Sequence, residues 1–367
     1  MRRVVYPQGT AFIDNYKKLF HTKISSMKAE WNTLRVRFSL YYLPTDIEDI
    51  LTANIDDLTQ WYVRFKKLDK KQRKAINKGL EKLFDYEVWR DSIAEYFMNP
   101  DNGFHLRSCH YCDTAYINAY KIDPDSEALF FLNVASDEEL ERITTSDKRK
   151  KDIKDTRQFE KKDQFEVLVN KYKWKPTKWE DTFETDKKQK NHFDLDHFLP
   201  KGQCVFVALS LFNFVPSCPI CNERLKKLRV LGNFGIPNAK LSPTSSSYDF
   251  DGNAQFVVVP SSDKIGGLLP TQVPEDYDLE LNTWNDDFKY FIRLFKLEER
   301  YRYHKQTALH WMEMKMKYSD NRIRMMEESL SDKTLFSFKK IKSDIFQEEL
   351  YKDENMCFSK VRKDMLR

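Results

Sequence analysis

The chain has 367 residues, 41% of them hydrophobic and 32% charged, with a formal net charge of +5. Its 27 Phe can fill a sizeable core, while 9 Gly are too few for an all-β chain of many tight turns. A helical background with a small β element is therefore expected. The mild positive charge is compatible with a nucleic-acid partner and does not require one. No run reaches the ~20 apolar residues of a membrane-spanning helix, and Met1–Pro7 is basic but lacks the apolar stretch of a signal peptide. The expectation is a cytoplasmic protein with no membrane association.

Residues 1–104 read as a helical N-terminal region. Pro44-Thr45-Asp46 is a helix start signal, with Asp49 just inside. Leu58, Trp61, Tyr62 and Phe65 then recur at helical spacing, as do Leu80, Leu83, Phe84 and Val88. Asn99-Pro100-Asp101-Asn102-Gly103 breaks the pattern and delivers the chain to Cys109.

Residues 105–235 read as one functional core carrying a charged insertion at about 137–191. In the insertion Arg149, Lys150, Lys151, Lys154, Lys161 and Lys162 alternate with Asp152, Asp155, Glu160 and Asp163. Mixed charge of this kind is usually a solvated helix face. Trp174 and Trp179 among Lys171, Lys173, Lys175 and Lys178 add aromatic surfaces on which bases can stack.

The core itself is marked by Cys109-His-Tyr-Cys112 and Cys218-Pro-Ile-Cys221. Each C-x-x-C lets two thiolates reach one ion from a tight turn, and two pairs complete a tetrahedral sulfur site suited to structural Zn²⁺. In a reducing compartment, metal is favoured over disulfides. Cys204 and Cys357 read as packing residues.

Between the knuckles lies Phe193-Asp194-Leu195-Asp196-His197-Phe198-Leu199-Pro200, followed by Asn213 and Asn222. Phosphodiester hydrolysis needs a deprotonated water and a cation on the phosphate. His197 suits the role of general base, because an unperturbed imidazole titrates at ~6.5. Asp196 and Asn222 offer hard oxygens to a catalytic Mg²⁺ or Mn²⁺. Asn213 is placed to tie the loop that fixes His197. Asp194 is either an accessory ligand or a solvated strand residue; His110 and His192 are incidental. Arg224, Lys226, Lys227 and Arg229 offer phosphate contacts. Neighbouring strand residues point to opposite faces, so Asp196 and His197 can serve one reaction only if the strand bends or the site wraps its edge.

Residues 236–275 form a loop and strand segment with a strand-like run at Ala254–Val259. Residues 276–367 read as a helical C-terminal region, with one or two long helices from Trp284 to Tyr318 and a basic helical end at 331–367.

Asp196-His197, Asn213 and Asn222 with paired C-x-x-C motifs resemble the HNH (ββα-metal) endonuclease family. That resemblance implies a β-hairpin packed on a helix, one catalytic divalent ion, a His base, and cutting of DNA first and RNA second. The last family position is Asn222 here rather than His. The expected fold is thus mainly α, with a small ββα-metal core braced by a four-Cys zinc site. More narrowly, Asp196–Lys201, Asn213–Cys218 and Leu297–His304 resemble Septu-type HNH proteins, which implies a phage-defence role beside an ATPase subunit. The charged insertion departs from that pattern. The alternatives are an RNA-directed nuclease, such as one acting on tRNA, and a catalytically silent zinc-knuckle module binding nucleic acid or protein.

Overall fold

The structure is a computed structural model that describes residues 1–104, 106–121, 130, 133–155, 189–261, 274–330, 332, 335–349, 351–352 and 356–367. Two units are distinguished: Met1–Asn118 with His192–Arg367, and Ala119–Asn191. The chain is mainly helical with small two-stranded sheets. No helix among the described residues is long and apolar enough to cross a membrane.

The first unit opens with helices α1 (Ala11–Lys18), α2 (Ile24–Arg37), α3 (Ile47–Leu51), α4 (Ile55–Lys66), α5 (Lys70–Leu80) and α6 (Tyr86–Met98). Short polar side chains start α3 to α6. Asp46 accepts from the Glu48 N–H, Asn54 from Asp57, and Asp85 from Glu87, while Asp69 and Gln72 form a capping box. Leu58, Tyr62 and Phe65 form the fully buried face of α4. Each such burial contributes roughly 1.5–3 kcal/mol. The second expected periodic run is divided: Leu80 ends α5, Leu83 and Phe84 are buried in the turn after it, and Val88 is an exposed residue of α6. Gly103, at φ 74, closes the break after α6.

β3 (Asp194–His197) pairs antiparallel with β4 (Phe214–Ser217), in register from Asp194↔Ser217 to His197↔Phe214. A π-helical turn, Ile220–Lys226, follows. The N-terminal helices hold the loop between the strands. The Tyr16 hydroxyl donates to the Leu209 carbonyl, the Ser210 hydroxyl to Ile50, and the Asn77 amide to Gln203.

β5 (Ala254–Pro260) pairs antiparallel with β6 (Tyr277–Thr283), and Phe256↔Leu281 and Val258↔Leu279 share the buried face. β6 departs from the reading of 276–367 as a helical region. Tyr277, Leu279 and Leu281 alternate with polar residues at strand period, and a seven-residue partner is present to pair them. The expected long helices from Trp284 are three shorter ones: α9 (Asp286–Leu294), α10 (Leu297–Tyr303) and α11 (Lys305–Lys317). Lys296, in the left-handed region at φ 52, separates the first two, and His304 separates the others. The chain ends with α12 (Asp320–Ser329), α13 (Phe338–Ile345) and α14 (Ser359–Leu366).

The second unit contains β1 (Ala119–Lys121) paired with β2 (Gln189–Asn191), and helices α7 (Asp137–Ile143) and α8 (Asp147–Asp155). It begins earlier than the charged stretch marked at 137–191. Lys150 pairs with Glu141 at 2.8 Å, and Lys154 with Asp137. Lys161, Lys162, Trp174, Trp179 and their charged neighbours lie outside the described residues.

Candidate metal centre and hairpin site

The cysteines are brought together by two turns. Asp113, at φ 56, bends the chain back after Cys112, and its N–H donates to the Cys109 carbonyl at 2.8 Å. The Asn222 N–H closes the second turn on the Cys218 carbonyl at 3.1 Å. The His110 N–H donates to the Pro216 carbonyl at 3.3 Å, which fixes the first knuckle to β4. A separation of 106 residues between Cys112 and Cys218 is thereby closed, helped by the His192 N–H bond to the Asn118 carbonyl at 2.8 Å.

The sulfurs of Cys109, Cys112, Cys218 and Cys221 all lie within 4.8 Å of one another and are buried. A tetrahedral zinc with ~2.3 Å bonds to sulfur sets S···S edges at about 3.8 Å, and Cys112 and Cys218 are 4.0 Å apart. The cluster can therefore hold a metal ion, and its all-sulfur donor set suits zinc. Burial pushes the Cys109 thiol up, whereas hydrogen bonding with Cys109 pulls Cys112 and Cys218 down. The metal-free cluster thus retains protons that a cation would displace.

A second layer of side chains braces the cluster. Arg300 on α10 donates to the Cys221 sulfur at 3.3 Å and to the Thr114 hydroxyl at 2.9 Å. Thr114 in turn donates to Cys112 at 3.3 Å, and the Tyr301 hydroxyl donates to the Cys112 carbonyl at 2.9 Å. A four-thiolate zinc centre carries net negative charge, so a guanidinium beside it is favourable. His110 is held neutral by burial, which lowers its pKa to about 3, and it is not a member of the cluster.

The hairpin places its polar residues on two faces. Asp196 is buried and accepts a 2.6 Å bond from the Tyr111 hydroxyl, inside the first knuckle. The Lys226 ammonium lies 2.9 Å from one Asp196 oxygen and 3.1 Å from the other, and donates to the His197 carbonyl at 2.7 Å. The Lys226 side chain is 0% exposed. Lys226, read from the sequence as a phosphate contact, is therefore buried against Asp196 and not placed to meet a phosphate at the surface. Asp196 likewise does not fit a divalent ion in this arrangement, because a second cation would sit against a buried ammonium.

Breaking that pair has a large expected cost. Lys226→Met leaves a buried carboxylate with only the Tyr111 hydroxyl, which should destabilise the protein by about 3–5 kcal/mol. Asp196→Asn combined with Lys226→Met should recover most of the loss, because no uncompensated charge remains. Urea unfolding of both variants checks this; a single-variant cost under about 1 kcal/mol would show the pair to be solvated.

His197 occupies the opposite face. Its Nε2–H donates to the Ala208 carbonyl at 2.9 Å, which assigns the acceptor lone pair to Nδ1. Its ring packs edge-on against Tyr86 at 4.7 Å and Phe214 at 5.0 Å. Burial lowers its pKa to about 3, so the ring is neutral well below the ~6.5 assumed from the sequence. Asn213 is buried and does tie the loop: its Oδ1 accepts from the Leu199 N–H at 2.8 Å, and its amide donates to the Leu199 and Val207 carbonyls.

Asn222 pairs with Asp194 rather than with Asp196, through a 3.2 Å bond from its amide. Asp194 and Asp196 share a strand face by alternation. Asp194 is half-buried, and desolvation raises its pKa. Arg224, Lys227 and Arg229 are exposed after the second knuckle. Sequence reasoning missed Tyr111, Tyr86 and Arg300. Tyr111 lay between two predicted ligands and Arg300 within the Leu297–His304 stretch, so both had a signal in the sequence; Tyr86 had none.

No protein-family model, no curated protein and no solved structure matches this chain.

Proposed function

We propose that the β3–β4 hairpin and the turn after it form the centre of a phosphodiester hydrolase acting on nucleic acid, with the four cysteines holding a structural zinc. The observation that carries this reading is the fixed tautomer of His197. A neutral imidazole whose Nε2–H is committed to the Ala208 carbonyl has Nδ1 as its base, and Asn213 holds the loop that carries that carbonyl's segment. His197 Nδ1 would take the proton of the attacking water once the docked anionic phosphate raises the pKa that burial holds at about 3. Arg224, Lys227 and Arg229 would bind phosphates. Asp194 and Asn222 would hold a divalent ion, which supplies charge neutralisation on the phosphate; because Asp194 and His197 alternate to opposite strand faces, the phosphate would have to sit at the strand edge to meet both.

DNA is the favoured substrate on the HNH resemblance, and the ATPase partner and defence role rest on the narrower Septu-type resemblance alone. A silent zinc-knuckle binding module is the second reading. It is favoured by Lys226, whose ammonium stands where a catalytic cation would meet Asp196.

The test uses purified, zinc-loaded protein with supercoiled plasmid, linear DNA and total tRNA, with and without added Mg²⁺ or Mn²⁺. Metal-dependent DNA cutting is expected. Cutting of tRNA alone would move the substrate to RNA. Binding without any cutting would replace the nuclease with the silent module.

A further inference from the structure

The segment just after the hairpin site carries a feature that zinc binding and hydrolysis leave unused. The Leu231–Asn238 loop is closed at its base by the Asn238 N–H bond to the Leu231 carbonyl at 2.9 Å. Across it, the Ile236 N–H donates to the Asn233 carbonyl at 2.9 Å. Asn238 donates to Asp287 at 2.9 Å, which fixes the base to the first turn of α9. The loop folds so tightly that a Cβ on Gly232 would lie 1.9 Å from the Ile236 carbonyl oxygen. At its tip, Phe234 holds the left-handed conformation, φ 52 and ψ 31, which non-glycine residues rarely adopt. Phe234 is fully exposed to solvent.

A bonded, strained loop that presents a bare aromatic ring spends stability without gaining burial. Left-handed non-glycine residues occur at functional sites and also at structural turns, as at Asp113 and Lys296 here, but at Phe234 no burial accompanies the conformation. The neighbouring charges point to the kind of ligand. From Asn222 to Lys240 the exposed charged side chains are Arg224, Lys227, Arg229 and Lys240, against Glu223 alone. Five residues from Arg229 to Phe234 span at most about 18 Å. Cations tracking a backbone beside an aromatic platform are the pattern of single-strand binding, in which each base offers a π-face.

We infer that the Leu231–Asn238 loop is a nucleobase-stacking element, and that Phe234 stacks on an unpaired base of a strand whose phosphates run along Arg224, Lys227 and Arg229. This rests on the nucleic-acid reading above and adds a substrate class: single-stranded or locally unpaired nucleic acid.

The test is fluorescence anisotropy of labelled single-stranded DNA, the matching RNA and the matching duplex, in a His197→Ala background so that binding is read without cutting. Phe234→Ala should weaken single-strand binding about tenfold, with little change on duplex. Phe234→Trp should retain the affinity. Phe234→Leu, which keeps apolar area but loses the π-face, should weaken it as Ala does. Unchanged binding by Phe234→Ala, full affinity in Phe234→Leu, or no nucleic-acid binding by the parent protein would each overturn the inference. Full affinity in Phe234→Leu would mean that the tip makes an apolar contact and not a base stack. The Phe234 side chain is wholly solvent-exposed, so an unchanged melting temperature in Phe234→Ala shows the variant to be folded. Binding with stacking but no cleavage by wild type would sink the nuclease reading alone; cleavage without a Phe234 effect would sink this inference alone.

Discussion

His197→Ala is expected to lower single-turnover cleavage by about 10²–10⁴-fold, the usual loss for a positioned general base. The change should fall on the rate of the chemical step and leave nucleic-acid affinity nearly unchanged, because His197 is buried rather than part of the exposed cationic surface. The pH dependence is a second readout. With a folded-state pKa of about 3, set by burial, His197 stays in its base form from neutral pH down to mildly acid pH. An acid limb near 6.5 in the wild-type kcat/KM profile, which is set by the free enzyme, would therefore belong to another group. The same depression makes the folded state lose stability as pH falls from ~6.5 toward about 3, since the unfolded chain takes up the proton first. The alanine variant also leaves the Ala208 carbonyl without its partner and opens a gap beside Tyr86 and Phe214. Its melting temperature must accordingly be measured beside the rate. A folded variant that cuts within tenfold of wild type would make His197 a core histidine, satisfied by a backbone carbonyl and two rings.

The four-Cys cluster was legible because C-x-x-C spacing is a local property, set by what two thiolates can reach from one turn. Helix starts at Asp46 and the strand from Ala254 were legible for the same reason: capping and alternation act over a few residues. The face conflict at Asp196-His197 was also visible, as strand alternation requires it. What lay beyond the sequence was which partner each face meets. In Arg224-Leu225-Lys226-Lys227 the three cations look alike, yet the π-helical turn points Lys226 inward to Asp196 and leaves the others in solvent. Arg300 lies 79 positions from Cys221, and nothing near it in sequence announces a sulfur partner. The break of the C-terminal helices at Lys296 depends on a single left-handed residue, which periodicity cannot reveal.

Zinc removal should unfold the first unit's core. Structural zinc contributes roughly 10–16 kcal/mol of apparent binding free energy in small zinc-finger systems, as large as the ~5–15 kcal/mol net stability of a typical domain. The cluster ties together segments far apart in sequence, in addition to the backbone bonds and shared core that also join them. Through Tyr111 the first knuckle reaches Asp196, through Arg300 and Tyr301 the sulfur site reaches α10, and through Asp113 it reaches the Lys360 N–H at the start of α14. Cys218→Ser, or a strong chelator, should therefore abolish the cooperative thermal transition or lower it by more than ten degrees. One zinc per chain is expected by metal analysis of the wild type. Cys204→Ser provides the contrast. Cys204 is equally buried but stands outside the cluster, so its loss should cost only about 1–3 kcal/mol, as for a polar atom introduced into a core. Protein without zinc whose melting temperature ignores both the chelator and Cys218→Ser would leave four packed thiols and no brace. The hairpin would then depend on the Asp196–Lys226 pair, the surrounding aromatic core and the hydrogen bonds that the N-terminal helices and Asn213 make to its loop.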